Sequence, residues 1–356
     1  MSWSGVKTIV TFNQTDEPNT PETGDIWFNP ETREAKVWNG YAWRLICCAR
    51  GAGADYGYCC GGVDSSLLST VDRITFPFDS GTATHVGSLF GTRSVNTGCN
   101  SSNYGYCMGG WGGGGNSLST IDRITFPFDS GTASYVGNLS GSRRHVTSCN
   151  SSNYGYCMSG NDGSNYLSTI DRIIFPFDSG TASHIGNLSG TKYDPAGCNS
   201  SNYGYCMGGL ASGNFFSTID RMAFPFDSGV ASHVGNLTGT KVHVVGCNSS
   251  NCGYCMGGRD DSNNLSTIDR ITFPFDSGAA SHVGNLSGSK YRSASCNSSN
   301  YGYCTGGRDL SSNIFSIVDR IEFPFDSGVA SHVGNLSGSR TDTAGIDGTD
   351  FVTLFI

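Results

Sequence analysis

The hexapeptide Phe-Pro-Phe-Asp-Ser-Gly at residues 175–180 decides the fold, because the chain repeats it six times. Neighbouring copies are 49 or 50 residues apart, and each lies in a longer recurring phrase that includes Tyr-Gly-Tyr-Cys at 154–157 and Ser-Thr-Ile-Asp-Arg at 168–172. The copies begin at Phe76, Phe126, Phe175, Phe224, Phe273 and Phe323. A period near 50 residues with this content is typical of a β-propeller, in which each repeat forms one blade.

The composition agrees with an all-β fold. Glycine contributes 51 of 356 residues and charged residues only 14%, which suits many short strands joined by tight turns. No segment has a sustained apolar period of 3.6 residues, so we expect no long helices. The net charge of -8 argues against nucleic acid or an anionic membrane as partner, since both require basic patches. No signal peptide or apolar run of about 18 residues is present, so we expect neither secretion nor a membrane span.

One repeat, residues 197–241, predicts four antiparallel strands, here named A to D in chain order. Strand A is Gly-Cys-Asn at 197–199, and strand B is Tyr-Gly-Tyr-Cys-Met at 203–207, followed by two glycines. Strand C covers 217–224, and strand D covers 232–237 after an Asp-Ser-Gly turn. Four short antiparallel strands make one propeller blade.

The repeat resembles the kelch repeat. The matching features are Gly208-Gly209 after strand B, Asp227-Ser-Gly229 before strand D, His233 to Leu237 in strand D, and the basic Lys241. The kelch tryptophan of strand D is replaced in every copy, by His85, Tyr135, His184, His233, His282 and His332. The resemblance implies a propeller architecture and says nothing about activity.

The chain ends predict how the ring closes. Residues 345–354 align with strands A and B of a further repeat, after which the chain stops. The hairpin at 24–39 is placed to supply strands C and D. We therefore favour a seventh, composite blade, with residues 1–23 as an arm or linker and 24–356 as the propeller, in which 24–44 closes the ring with 341–356. The alternative is six blades with the N-terminal hairpin as a separate plug.

The N-terminal hairpin carries a second resemblance. Residues 24–43, Gly-Asp-Ile-Trp-Phe-Asn-Pro-Glu-Thr-Arg-Glu-Ala-Lys-Val-Trp-Asn-Gly-Tyr-Ala-Trp, are similar to a short module of bacteriophage tail-fibre and other virion proteins. This resemblance implies a virion protein that is assembled in the host cytoplasm.

Ten of the 15 cysteines form five pairs that are eight residues apart, one residue on strand A and one on strand B. The C-terminal copy has Ile346 and Leu354 at these positions, as buried apolar sites tolerate. We favour buried free thiols; intra-blade disulfides and metal ligation are the alternatives.

Differences between the repeats are concentrated in two connections: the loop between strands B and C (the B–C loop), and the segment between strand D and strand A of the next repeat (the D–A segment). Because strands alternate in direction, both sets are predicted to lie on the same face of the propeller. Either these surface loops drift without constraint, or the face recognises an irregular target such as a glycan or a protein. The candidate ligand-binding residues on this face are Trp111, Asp162, Tyr166, Tyr193, Phe215, Phe216, Arg259, Asp260, Tyr291, Arg292, Arg308 and Asp309.

Residues present in every repeat are predicted to be structural. The five strand-D histidines lie on the outermost strands, too far apart to share a metal ion. Adjacent Asp and Arg residues on strand C, such as Asp171-Arg172, face opposite ways, so each is expected to bridge to another strand or blade. Catalytic motifs are absent, and we expect no catalytic residues, no metal and no cofactor.

These observations favour a non-enzymatic virion protein of a bacteriophage tail fibre or tail appendage. Its expected partners are a host surface glycan or protein on the variable face and other virion proteins through the N-terminal arm. The alternatives are a structural scaffold in the virion, and a glycan-cleaving propeller whose acid and base come from loop residues such as Asp162, Asp260 or Asp309.

Overall fold

A computed structural model describes residues 11–23, 25–28, 34–38, 40–48 and 56–348. The chain forms two compact units, residues 1–53 with 351–356, and residues 54–350. The described residues form strands and turns without a helix, which confirms the all-β prediction. Accordingly, the described part of the chain contains no helix able to cross a bilayer.

The smaller unit contains one four-stranded sheet. Its strands are β1 (Thr11–Asn13), β2 (Ile26–Phe28), β3 (Glu34–Trp38) and β4 (Trp43–Cys48), hydrogen-bonded in that order. β1 runs parallel to β2, whereas the β2–β3 and β3–β4 pairs are antiparallel. The predicted hairpin is therefore part of this sheet.

The larger unit is a β-propeller of six four-stranded antiparallel blades. The first repeat contains β5 (Tyr56–Cys60), β6 (Thr70–Thr75) and β7 (Thr84–Ser88), and the second contains β8 (Arg93–Ser94), β9 (Thr97–Asn100), β10 (Tyr104–Met108), β11 (Trp111–Gly112), β12 (Thr120–Thr125) and β13 (Ser134–Asn138). The third contains β14 (Thr147–Asn150), β15 (Tyr154–Met158), β16 (Leu167–Ile174) and β17 (Ser183–Lys192), and the fourth contains β18 (Ala196–Asn199), β19 (Tyr203–Met207), β20 (Leu210–Ala211), β21 (Asn214–Phe215), β22 (Thr218–Ala223) and β23 (Ser232–Asn236). The fifth contains β24 (Val245–Asn248), β25 (Cys252–Met256), β26 (Thr267–Thr272) and β27 (Ser281–Asn285), the sixth contains β28 (Ala294–Asn297), β29 (Tyr301–Thr305), β30 (Ile317–Glu322) and β31 (Ser331–Asn335), and the last strand is β32 (Ala344–Gly348).

The blades are numbered 1 to 6 in chain order, and strand A lies innermost in each. Blade 2, for example, has the order β9-β10-β12-β13, and the strands A of neighbouring blades contact one another around the axis. Two-stranded ribbons, β8–β11 and β20–β21, extend from two of the blades.

The ring closes in blade 1, whose order is β32-β5-β6-β7. Ala344 pairs with Cys60 and Gly348 with Tyr56, so the C-terminal strand lies beside the first strand of the repeat region. The preference for a seventh, composite blade is not confirmed: the structure has the six blades of the alternative. The reason is that the first repeat starts at strand B, so the C-terminal strand A completes that blade. Residues 349–356 lie outside the described part of the chain.

The invariant Tyr-Gly-Tyr-Cys and Phe-Pro-Phe segments join neighbouring blades. In one such contact, Tyr106 stacks on Phe175 of the next blade, with ring centroids 5.3 Å apart. The Tyr106 hydroxyl accepts a hydrogen bond from the Phe177 backbone N–H at 2.9 Å. The same pair of contacts recurs at all six junctions, between Tyr58, Tyr106, Tyr156, Tyr205, Tyr254 and Tyr303 and the following Phe-Pro-Phe segments.

The glycine of strand B makes room for a cysteine of the preceding blade. A Cβ atom at Gly155 would lie 2.6 Å from Cys99 Sγ, far inside van der Waals contact. The thirteen cysteines whose side chains the structure describes are buried and free, which confirms the thiol interpretation for these residues. Burial raises the pKa of Cys157 to about 12, so this thiol is unreactive at neutral pH.

Each strand-C aspartate is buried and paired with a cation from the preceding blade. Asp72 lies 2.8 Å from Arg340, and it also accepts hydrogen bonds from the backbone N–H and the hydroxyl of Ser337. The equivalent pairs are Arg93–Asp122, Arg143–Asp171, Lys192–Asp220, Lys241–Asp269 and Lys290–Asp319. The prediction that these aspartates bridge to another blade is confirmed.

The neighbouring strand-C arginines form a second, more exposed set of bridges. Arg73 pairs with Asp129 in the turn of the next blade, and its guanidinium lies 4.6 Å from the ring centre of Tyr56. The other pairs are Arg123–Asp178, Arg172–Asp227, Arg221–Asp276, Arg270–Asp326 and Arg320–Asp79. Adjacent Asp and Arg residues thus make separate contacts, as their opposite directions on the strand predict.

Arg340→Ala and Arg320→Ala each remove one ion pair across the junction of blades 6 and 1. Arg340→Ala leaves a fully buried carboxylate uncompensated, so we expect the free energy of unfolding to fall by about 3–5 kcal/mol. The Asp79 side chain is 65% exposed, so Arg320→Ala should cost only about 1 kcal/mol. Urea unfolding measures both changes, and equal losses would contradict the assignment.

Cys252→Tyr should stabilise blade 5. In the other five blades, a strand-B tyrosine ring lies under the strand-C arginine. Blade 5 has Cys252 at this position, and among the described residues no aromatic ring lies under its Arg270. Restoring the cation–π contact should add about 0.5–1 kcal/mol. Tyr203→Cys is the reciprocal control and should lose a similar amount in the same unfolding experiment.

Candidate functional site

The B–C loops and D–A segments lie on one face of the propeller because they pair with each other. Each D–A segment forms a β-bridge with the B–C loop of the following blade. These bridges are Thr341–Val63, Ser94–Trp111, Arg144–Asn161, Tyr193–Leu210, Val242–Arg259 and Tyr291–Arg308. The two variable sets of the repeats therefore form one surface, here called the loop face, as the strand directions predict.

At the centre of the loop face, the middle residues of the D–A segments form a closed ring. Each backbone N–H donates to the carbonyl of the equivalent residue in the preceding blade, over 2.7 to 3.1 Å. All six residues are non-glycine and have left-handed φ values between 49° and 61°, a costly conformation that the ring of bonds holds in place. This mouth ring consists of Val95, His145, Asp194, His243, Arg292 and Asp342.

The mouth ring brings different titratable groups together. His145 Nδ1 and His243 Nδ1 lie 2.6 and 2.5 Å from the same Asp194 Oδ2. Arg292 and Asp342 form an adjacent pair at 3.4 Å. Sequence reasoning included Arg292 but missed the two histidines and two aspartates. The sequence did contain a signal for these four residues, because each occupies the same position in its repeat as Arg292 does.

Burial and charge shift the pKa values of these groups in different directions. Burial would raise the pKa of Asp194, but the two imidazoles hold it well below its usual range. Burial lowers the pKa of His243 to about 4, although Asp194 opposes the shift. Burial raises the pKa of Asp342, and the Arg292 guanidinium limits the rise. The ring thus combines an ionised carboxylate with a neutral imidazole at neutral pH.

Tyr193 extends this cluster. Its hydroxyl lies 2.7 Å from His145 Nε2, and its ring stacks on the imidazole with centroids 3.9 Å apart. Tyr166 packs edge-on against Tyr193 at 5.9 Å. Two predicted site residues therefore lie together, directly beside the mouth ring.

The remaining predicted aromatic residues differ in exposure. Trp111, Phe215 and Phe216 are half-buried on the loop face, and the Arg259 guanidinium lies 5.7 Å from the Phe215 ring centre. Tyr291, one of the candidate ligand-binding residues, is only 7% exposed. The Arg292 and Arg308 guanidiniums both lie 5.9 Å from its ring centre, so it serves as their support and offers little surface to a ligand.

The three predicted loop aspartates fold their own loops. Asp162 accepts the backbone N–H groups of Ser164 and Asn165, both at 2.7 Å, and these bonds lower its pKa. Asp260 and Asp309 make the same kind of contact, to the segments 262–263 and to Asn313. Their pKa values are also lowered. A general acid requires the opposite shift, so these carboxylates are suited to accepting hydrogen bonds.

Below the mouth ring, the strands A surround a polar cavity of about 140 Å³. Asparagines at the ends of these strands form a ladder in which each backbone N–H donates to the next side chain, as in Asn150 to Asn199 at 3.2 Å. Blade 1 has Asp347 at this position, which accepts the Asn297 N–H at 2.6 Å. Burial raises the pKa of Asp347 to about 7.

The strand-D histidines lie apart from this cluster. His85, for example, is half exposed with its Nδ1 3.6 Å from Asp72 of its own blade, and each of the others that pairs does so within its own blade. Within the described part of the chain, these ion pairs do not connect the strand-D histidines to the loop face.

Comparison with known proteins identifies the architecture. No protein-family model and no curated protein matches the chain significantly. A solved structure titled "Structure of YjhT", a propeller protein, matches with a TM-score of 0.63 at 10% sequence identity. The match covers 78% of this chain and 97% of that one. At this identity the likeness shows the fold alone: the chain is a β-propeller.

Asp347→Asn should stabilise the protein at alkaline but not at acidic pH. The folded-state pKa of about 7 lies above the value of about 3.9 for an unfolded aspartate, so ionisation of Asp347 opposes folding. The cost develops as the pH rises from about 4 to 7 and is complete above it. We expect a gain of roughly 1–3 kcal/mol at pH 8 and none at pH 3.5, from unfolding curves at both pH values. An equal gain at both would contradict this assignment.

Proposed function

We propose that this propeller is a non-enzymatic binding module whose loop face recognises a glycan on a bacterial surface. The observation that carries the proposal is the set of six bridges between D–A segments and B–C loops. Through these bridges, six nearly identical blades present six different loop pairs on one surface. The constant Asn-Ser-Ser-Asn and Phe-Asp-Ser-Gly turns are on the opposite face, which provides an internal comparison.

The chemistry of the loop face suits a carbohydrate. Half-buried rings such as Tyr166 and Phe215 lie beside guanidinium, carboxylate and amide groups. Aromatic faces stack on sugar rings, and ionised carboxylates accept hydroxyl hydrogen bonds.

A groove of about 520 Å³ opens beside these loops in blade 3, within the size range of ligand sites. Its polar lining includes Ser140, Ser142, Asp162, Asn165 and Thr169.

Binding is favoured over glycan cleavage by the state of the loop carboxylates. Asp162, Asp260 and Asp309 have lowered pKa values and are hydrogen-bonded to their own loops. Glycoside hydrolysis needs one carboxyl with a raised pKa that protonates the leaving oxygen. The groups are therefore better placed for recognition.

The proposed setting is a bacteriophage tail fibre or related tail appendage. It rests on the resemblance of residues 24–43 to a virion module, and on the separate compact unit that contains this segment. The propeller is proposed to be kelch-like, since the Gly208-Gly209 doublet adopts φ values of 69° and 103° that only glycine accepts readily. The N-terminal unit would then contact other virion proteins.

A glycan array carrying bacterial surface polysaccharides tests the proposal. We expect the protein to retain a limited set of glycans, and Tyr166→Ala or Arg259→Ala to weaken binding at least 10-fold. Asn153→Ala, an exposed residue in an A–B turn on the opposite face, is the matched control and should bind normally. If no glycan is retained, or if Asn153→Ala weakens binding equally, the loop face is not a glycan site and the virion-scaffold alternative is favoured.

A further inference from the structure

Three consecutive members of the mouth ring have the arrangement of metal ligands. His145 Nδ1, Asp194 Oδ2 and His243 Nδ1 all lie within 4.8 Å of one another. Both imidazole nitrogens point at the same carboxylate oxygen, at 2.6 and 2.5 Å. The other three positions of the mouth ring are Val95, Arg292 and Asp342, so the sequence His-Asp-His occurs once in the ring.

We propose that His145, Asp194 and His243 bind one Zn²⁺ ion at the mouth of the central channel. Zinc takes imidazole nitrogen and carboxylate oxygen at ~2.0–2.2 Å, with tetrahedral geometry. Ligand atoms at such bond lengths lie roughly 3.3 Å apart, so each imidazole nitrogen needs to move less than about 1 Å away from Asp194 Oδ2 to admit the ion. Three protein ligands leave a fourth position for water or for an oxygen of a bound molecule.

Tyr193 is placed to support His145 as a metal ligand. Tyr193 Oη lies 2.7 Å from His145 Nε2, so an Nε2–H group would donate a hydrogen bond to it once Nδ1 binds the ion. Nδ1, which faces Asp194 Oδ2, is the atom directed at the proposed ion. A hydrogen bond from the second ring nitrogen is the usual support for a metal-bound histidine.

The backbone of the site is already in place before the ion binds. The N–H of Asp194 donates to the carbonyl of His145, and that of His243 to the carbonyl of Asp194, both at 3.0 Å. These bonds belong to the closed mouth ring, which fixes three left-handed residues from three different blades. The adjustment to the ion then falls on the three side chains.

The electrostatic neighbourhood can accept a cation. The positive charge of Arg292 in the mouth ring would repel a bound cation, but Arg292 is paired with Asp342 at 3.4 Å. Asp194 has the two imidazoles of His145 and His243 as its closest side-chain partners in the ring. Asp194 and His243 also line the polar cavity below the mouth ring, so the proposed ion would border this space.

Metal titration of the chelator-treated full chain tests the proposal. We expect isothermal calorimetry to show one Zn²⁺ per chain, and Co²⁺ to give an absorption spectrum of a four-coordinate nitrogen–oxygen site. His145→Asn, Asp194→Asn and His243→Asn should each weaken Zn²⁺ binding at least 30-fold. Asparagine is chosen because it tolerates the left-handed backbone of these positions. His233→Asn, an exposed strand-D histidine, is the matched control and should bind as wild type.

Three results would overturn the proposal: no stoichiometric binding, unchanged binding in the three mouth-ring variants, or a thiolate-to-cobalt band that places the ion on cysteines. Melting curves without metal show whether each variant is folded. If a variant fails to fold, the wild-type Co²⁺ spectrum still decides between a nitrogen–oxygen site and cysteine ligation. The outcome is independent of whether the loop face binds a glycan.

Discussion

Each blade depends on its neighbour because its strand-C aspartate is buried and pairs with an arginine or lysine that the preceding blade supplies. The side chain of Asp72 has no exposed surface, and its partner Arg340 comes from the far end of the sequence. An isolated buried carboxylate is strongly destabilising, so a blade without its neighbour carries an uncompensated charge. The ring closes because the last blade provides the cation that the first one lacks. The tyrosine hydroxyl and aromatic stacking contacts run in the same direction around the ring.

These contacts explain which positions can change. Strand B and the Phe-Pro-Phe segment are fixed by contacts on both sides, as with Gly155, whose missing Cβ leaves room for Cys99. The mouth ring is different, because its six hydrogen bonds are between backbone atoms. Any side chain that accepts the left-handed backbone fits, even the β-branched Val95 at a φ of 50°. Specialised chemistry can therefore develop at the mouth without a loss of blade-to-blade contacts.

The loop face combines the two proposed sites. Its periphery has half-buried aromatic rings and loop carboxylates, which suit a polar ligand of irregular shape. Its centre has the His145, Asp194 and His243 cluster, which suits a cation. A ligand seated on the periphery would lie near the mouth ring, since Tyr166 contacts Tyr193 and Tyr193 contacts His145.

The sequence by itself determined the repeat length, the four strands of each blade, the buried state of the described thiols and the common face of the variable loops. It did so because these features follow from local periodicity and from residues that recur in every copy. Only the tertiary structure decided the number of blades, since β32 fits strand A of blade 1 as well as a new blade and the choice depends on which edge is open. It also decided that Tyr291 is buried and that His145, Asp194 and His243 meet. These three residues occupy equivalent repeat positions 49 residues apart, but nothing in the repeat says that this position of the D–A segment lies at the axis, where the blades converge.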